Sequence, residues 1–424
     1  MFGAFRSIAI VACATLYLFL MSLPAKAGDF NVRFVLVLSR HGVRSPTAKP
    51  AELATLAKDP WPDFGVPPGF LTAHGFVLAT LMGAYYREAL AARGLVAPSG
   101  CADESNVYFA SDLDERTVKT AQGYAQGMFP SCAAPAVHYR TDVDDDPVFH
   151  PIAGTLWNGN RALAVAALRG RSGSDLSALR AAYADAISSV EYVTRRPIPD
   201  GALAIEPGAG EDLVRIEGPF DRAQEIAEIL QMEYANGFPM SQVGWGRATL
   251  PQIVAMSRVR PLYYELTQRA PYVASVKGSN LLSHVLATLE QAAENAGKPG
   301  AFGPAADKVT FVVGHDGNIA NVAGLLGVSW VLPTYQPNDA APGGALIFEV
   351  GTRASDGTPV VRLSYTAATL DQMRDATKLS LANPPPVFPL FVRGCSTADD
   401  GYPCPFADFE RVARSAIDPA FVTP

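Results

Sequence analysis

Two arginines flank a histidine in Ser39-Arg-His-Gly-Val-Arg44, and a second histidine runs straight into a carboxylate in Gly314-His-Asp-Gly-Asn318. Arginine's planar fork sets two donors against two phosphoryl oxygens and stays charged at any relevant pH. Phosphoryl transfer asks for an in-line attacker in a strongly cationic pocket. His41 is the predicted nucleophile, with Arg40 and Arg44 holding the phosphate, and the surrounding positive charge should keep its imidazole neutral in acid. His315 is predicted to donate to a phosphoryl oxygen. Asp316 would protonate the departing alkoxide and then, as a carboxylate, take a proton from the water that hydrolyses the phosphohistidine. Arg116, in Ser111-Asp-Leu-Asp-Glu-Arg-Thr117, adds charge at a helix start whose predicted N-cap is Asp114. Thr47 joins these groups on the leaving-group side. Gly42 removes side-chain bulk beside His41 and allows a close backbone approach.

The other candidates carry less signal. Asn318 has two readings, orienting the acid or starting the next helix. His74 is read as packing, and His138, His150 and His284 as structural or exposed. The acidic stretch Asp142-Val-Asp-Asp-Asp146 lacks the Gly and Glu of a calcium loop. No cysteine pair has His or Cys partners at metal-binding spacing. Neither a metal nor a cofactor is expected.

These clusters sit where strands should end. Residues 31–39, 106–110, 308–313, 345–350 and 360–366 have the β-branched and aromatic content of strands, and 71–93, 115–129 and 317–326 read as helices. Ligands of open α/β sheets bind beyond the carboxyl ends of the strands, so three strand ends carrying polar clusters predict one site. Between them, 160–193, 219–236, 250–266 and 277–296 are rich in Ala, Leu, Glu and Gln with Gly or Pro breaks. The expectation is an α/β protein whose three-layer core, with a mainly parallel sheet, occupies 28–155 and 281–424, and whose mainly helical cap is inserted at 156–280.

Arg6, the apolar run Ile8–Met21 and Ala25-Lys-Ala27 predict a signal peptide over 1–27, and hence a periplasmic or secreted chain. Its removal shifts the formal charge from −7 to −9, since it carries Arg6 and Lys26 but no carboxylate. A net acidic chain without a long basic run is a poor nucleic-acid binder. Four cysteines remain, Cys101, Cys132, Cys395 and Cys404, an even number that suits an oxidising compartment. Three pairings are open, and spacing favours 101–132 and 395–404. A monomer without stable membrane insertion is the default.

The stretch Arg40-His-Gly-Val-Arg-Ser-Pro-Thr47 resembles the RHGxRxP motif of the histidine acid phosphatases, and His315-Asp316 their distal HD, in the bacterial periplasmic branch of phytases and glucose-1-phosphatase. The resemblance implies an α/β core with a helical cap. It makes His41 the nucleophile, Asp316 the proton donor, and Arg40, Arg44, Arg116 and His315 the phosphate ligands. Asp112–Thr117 is similar to phytases, and Gly237–Gly246 to glucose-1-phosphatase, while Gly317 replaces the Thr or Ser of their HDTN and HDSN. The expected activity is acid phosphomonoester hydrolysis through a phosphohistidine, on phytate or a broad range of organic phosphates. The alternatives are a glucose-1-phosphatase-like sugar phosphatase, a mutase-like phosphotransferase and a non-catalytic phospholigand-binding envelope protein.

Overall fold

The structure, a computed structural model, describes residues 30–423 apart from 134, 153–158, 174–175 and 200–202. The predicted signal peptide lies outside the described residues. The chain begins with β1 (Phe30–Arg40), α1 (Pro50–Leu56), α2 (Ala73–Ala91), β2 (Val107–Ser111), α3 (Glu115–Met128) and β3 (Val137–His138). A largely helical stretch follows: α4 (Arg161–Ser172), α5 (Leu176–Ala182), α6 (Ala184–Thr194), β4 (Ala204–Pro207), β5 (Val214–Glu217), α7 (Pro219–Ala235), α8 (Leu250–Met256), α9 (Val259–Thr267) and α10 (Pro271–Glu294). The chain then returns through β6 (Val309–Gly314), α11 (Asp316–Leu326), β7 (Ala345–Arg353), β8 (Pro359–Thr366), α12 (Leu370–Arg374), β9 (Val387–Pro389), β10 (Cys404–Pro405) and α13 (Phe406–Ala416).

The main sheet runs β10-β8-β7-β1-β6-β2-β3, with β9 also on β8. Its β1-β6-β2-β3 half is parallel and bears the three polar clusters, whereas β7, β8, β9 and β10 are antiparallel to their neighbours. A parallel strand needs cover on both faces, which explains the continuous apolar run Phe34–Leu38 and its complete burial. Helices supply that cover: α3 packs on β2 and β6, and α10 and α11 pack on β1.

Strand and helix positions in the core follow the sequence expectation within a residue or two, except that β7 runs three residues further, to Arg353. The helical insertion is there as well, but it contains a β4–β5 hairpin that composition did not indicate, with Ile205, Val214 and Ile216 buried at alternate positions. Helix α10 continues without a break through residue 280, where the cap was expected to end. Both favoured disulfides, Cys101–Cys132 and Cys395–Cys404, are present. Among the described residues no helix is long and apolar enough to cross a membrane.

Helix α3, which presents Arg116, is seated by close backbone contact with α2. A Cβ on Gly127 would fall 2.0 Å from the Thr80 carbonyl oxygen, and one on Gly83 would fall 2.3 Å from that of Tyr124. Larger residues at either position would force α2 and α3 apart.

One buried acid in the insertion has a measurable consequence. Glu233 of α7 is fully buried and accepts from the Gly244 backbone N–H at 2.8 Å, which anchors a turn where Gly244 and Trp245 both have positive φ. Burial, opposed by that one hydrogen bond, pushes its carboxyl up to about 8. Between the ordinary carboxyl range and pH 8 the native chain therefore binds a proton that the unfolded chain has lost. Stability should fall as pH rises through this window, by at most about 1.4 kcal/mol per pH unit for one proton. Glu233→Gln should remove the slope, so that urea denaturation at pH 5, 6, 7 and 8 shows the variant gaining steadily on the parent. A constant difference would mean that Glu233 does not titrate there.

Candidate functional site

Strands β1 and β6 are parallel neighbours with Arg40 opposite Gly314, so His41 and His315 are the first residues past two paired strand ends. The His41 N–H donates to the Gly314 carbonyl at 2.9 Å, and the two imidazole centroids are 5.7 Å apart. On the other side of β6, β2 ends with Ser111 opposite Val313, and the Asp112 N–H donates to the Val313 carbonyl. Three strands thus deliver His41, His315 and Asp112 side by side.

The protonation pattern of His41 follows from its partners. Nδ1 lies 2.8 Å from the Gly42 carbonyl, which can only accept, so Nδ1 carries the hydrogen and Nε2 keeps its lone pair. The ring is buried, and burial, followed by Arg40, Arg116 and Arg44, holds its pKa well below the usual imidazole value. Gly42 is tightly enclosed, as its small size suggested: its N–H donates to Thr120 Oγ1, and a Cβ would meet Leu71 at 3.2 Å.

The cationic side is a buried network. Arg40 donates from Nη1 to the Ala340 carbonyl at 2.6 Å and shares Nη2 between Glu228 and Asp316, the latter at 3.0 Å. Arg44 Nη2 reaches the other Glu228 oxygen at 3.1 Å. Arg260, from α9, lies 3.3 Å from Asp316 and 3.4 Å from Glu228. Burial alone would raise both carboxyls, but Arg40, Arg260 and Arg44 outweigh it at Asp316, as Arg260, Arg44 and Arg40 do at Glu228. Both are ionised in this ligand-free arrangement.

Arg116 bridges to the second histidine. Its Nη2 pairs with Asp114 at 2.6 Å and lies 3.3 Å from His315 Nδ1. His315 Nε2 donates to Asp112 Oδ2 at 2.7 Å. Arg116 can only donate, so Nδ1 accepts, and burial, ahead of the opposing pull of Asp112, lowers the His315 pKa from its ordinary value. Thr47 is exposed at the rim, where a side chain on Gly69 would begin 3.6 Å from Thr47 Cγ2 and 3.7 Å from Arg116 Nη1.

The other candidates are now placed. Asp114 occupies the N-cap position of α3 without a side-chain capping bond, because its carboxylate is on Arg116. Asn318 accepts from the His315 N–H at 2.8 Å and donates to the Phe149 carbonyl at 2.9 Å, so it both opens α11 and tethers a neighbouring loop. His74 bonds the Met373 carbonyl, His138 stacks on Tyr108, and His284 bonds the Gly300 carbonyl. His150 departs from its expected role. Its Nε2 is 3.0 Å from Asp112 Oδ2, its Nδ1 is 3.2 Å from Glu211, and its ring centroid is 4.9 Å from that of His315. Burial works against its protonation, but Asp112 and Glu211 prevail and push its pKa up to about 10.

Glu228, Arg260 and His150 were not singled out by sequence reasoning. The first two read as ordinary helix charges until α7 and α9 face the strand ends. His150 lies in an aperiodic stretch that the Asn318–Phe149 bond carries into the site.

Comparison with known proteins agrees with this geometry. Residues 31–175 and 211–366 match the histidine phosphatase superfamily (branch 2). The chain is 32% identical to phytase AppA of Escherichia coli over 92% of this chain and 93% of that protein. It is 29% identical to the glucose-1-phosphatase of Salmonella typhimurium over 91% and 93%. Hafnia alvei phytase in complex with myo-inositol hexakis sulphate superposes with a TM-score of 0.84 at 30% identity, over 94% of this chain and 100% of that one. With the paired histidines, the arginine network and these likenesses together, the chain belongs to the histidine acid phosphatase superfamily, in its phytase and glucose-1-phosphatase branch, and is an enzyme of that hydrolase class.

Proposed function

We propose that this enzyme hydrolyses phosphomonoesters through a phosphohistidine on His41, with phytate-class substrates preferred. The observation that carries the reading is the state of His41: Nδ1 is committed to Gly42, which leaves the lone pair on Nε2, in a ring whose basicity is lowered by burial and then by three arginines. In this scheme the incoming phosphoryl group replaces Glu228 on Arg44 and draws Arg116 away from His315. Its oxygens are held by Arg40, Arg44 and Arg116, and His315 takes a proton at Nδ1 so as to donate, with Asp112 on Nε2 stabilising the imidazolium.

His41 Nε2 then bonds to phosphorus as the ester P–O bond breaks, and Asp316 hands its proton to the departing oxygen. Asp316 is ionised without ligand, so it acquires that proton as the phosphoryl charge takes up part of the arginine field that keeps it ionised. In the second half Asp316 accepts a proton from water, the water oxygen bonds to phosphorus, and the N–P bond breaks to release phosphate. Thr47 and residues of the insertion receive the leaving group.

The phytate preference is supported by the likeness to phytase AppA and to the Hafnia enzyme in its inositol hexakis sulphate complex. A sugar phosphatase is the second reading, favoured by the glucose-1-phosphatase relatives. The predicted leader further suggests periplasmic or secreted action.

Hydrolysis of phytate, glucose-1-phosphate and an aryl phosphate across pH 3–8, without added metal, tests the class, and no turnover of any of them would sink it. His41→Ala should abolish the phosphoenzyme trapped by rapid quenching into alkali. Asp316→Ala should slow poor leaving groups by about 100-fold or more and aryl phosphates far less. Equal losses on both would contradict the assignment of the acid.

Gly317 offers a test of leaving-group preference. A Cβ there would meet only Gln268 Oε1, at 3.8 Å. Gly317 is half-buried, and with no close neighbour for the added atoms Gly317→Ser should change stability by less than about 1 kcal/mol. It should change the ratio of kcat/KM for phytate over glucose-1-phosphate, and an unchanged ratio would place leaving-group selection elsewhere.

A further inference from the structure

Asp112, Asp114, His150 and His315 bring four ligand atoms within 4.8 Å of one another, around the Nε2 edge of His315. We propose that these side chains form a binding site for a divalent transition-metal ion of the zinc type, and that the ion and an oxyanion in the phosphate pocket bind together rather than in competition.

The donor set is the first argument. Two imidazole nitrogens with two carboxylates suit zinc or cobalt, whereas calcium and magnesium favour all-oxygen sites. Spacing is the second. Ligands at about 2.0–2.1 Å around a tetrahedral ion lie about 3.3 Å from each other. Here Asp112 Oδ2 is 2.7 Å from His315 Nε2 and 3.0 Å from His150 Nε2, and Asp114 Oδ2 is 3.6 Å from His315 Nε2. Small movements open this cluster around an ion.

Independent support comes from the outer contacts. His150 Nδ1 faces Glu211 at 3.2 Å, the carboxylate–imidazole arrangement that orients a metal-binding histidine and directs its other nitrogen to the ion. The Asn318–Phe149 bond holds the backbone next to His150 in place. Asp112 is wholly buried, and among the described residues its Oδ1 has no hydrogen-bond partner while its Oδ2 serves two histidines. Access is through a pocket of about 170 Å³ lined by His150, Glu211, Gln268, Lys277 and His315.

The coupling follows from the tautomers, and it alone rests on the phosphate site proposed above. An ion on His315 Nε2 leaves the ring hydrogen on Nδ1, which now accepts from Arg116. The same ion draws Asp114 from its 2.6 Å pair with Arg116. A donor is thereby created and a guanidinium released on the oxyanion side.

The test is titration of the mature chain, cleared of metal by chelator, with Zn2+ alone by calorimetry and with Co2+ alone by visible absorption. One ion per chain and the intense bands of four-coordinate cobalt are expected. His150→Asn and Asp114→Asn, each checked for folding by circular dichroism, should weaken binding at least 10-fold. A six-coordinate aqua-ion spectrum, or one-ion binding unchanged in both variants, overturns the site. Inorganic phosphate, kept below the solubility limit of its zinc salt, should tighten zinc binding, and weaker binding overturns the coupling. None of these readouts needs turnover, so an ion bound by a chain that hydrolyses nothing would overturn the proposed reaction and leave the ion site standing.

Discussion

The pairing of β1 with β6 is the constraint on which the site depends. Neighbouring strands lie about 4.8 Å apart, and a slip of one residue sends every side chain to the opposite face. With Arg40 opposite Gly314, the next residue on each strand is a histidine, and the two rings meet without help from a loop. The other neighbour of β1, β7, completes the fixation through the residues that lead into it. Arg40 N–H donates to the Gly344 carbonyl, and the His41 carbonyl accepts from Gly343. The His41 backbone N–H, carbonyl and Nδ1 are all bonded, so its rotation is restrained, and among the described residues Nε2 is the polar atom left over.

That rigidity brings a cost in charge. Arg40 and Arg260 are almost completely buried, and a buried guanidinium without partners would cost several kcal/mol. Glu228 and Asp316 supply the missing anions, and Asp339, 3.8 Å from Arg260, adds a third. The pocket is thus held together by the same kind of interaction a phosphoryl group would make. Exchange of Glu228 for phosphate replaces one anion by another, so the gain on binding is the difference between two charge-assisted contacts. Such a pocket stays folded without substrate and need not bind inorganic phosphate so tightly that release stalls.

Much of this was legible in the sequence because the groups lie at the ends of strands. Val35–Leu38 and Val309–Val313 announce buried strands through β-branched runs, and the residues that follow are too polar to continue them. What local patterns could not reveal was supplied by packing. Glu228 and Arg260 sit on separate helices, and their pairing exists only when α7 and α9 converge on the strand ends. The β4–β5 hairpin has four-residue strands, too short for periodicity to separate from loop. His150 has no local signature at all, since its position depends on a hydrogen bond from Asn318, 168 residues further along the chain.

The proposed reaction centre and the groups around its mouth therefore come from different parts of the chain. Strand ends provide His41, His315 and Asp112, and the helix starts beside them provide Asp316 and Arg116. Groups around the mouth, among them Glu211, Gln268 and Lys277, come from the long stretch between β3 and β6. The family match is interrupted between residues 175 and 211, within that same stretch. A sheet register tolerates almost no change, whereas helices and loops at its edge accept substitution as long as they keep Glu228 and Arg260 aimed inward. In the proposed scheme one reaction centre serves relatives bearing both phytase and glucose-1-phosphatase names, and the insertion and Gly317, where the fold leaves room, are the places proposed to read the leaving group.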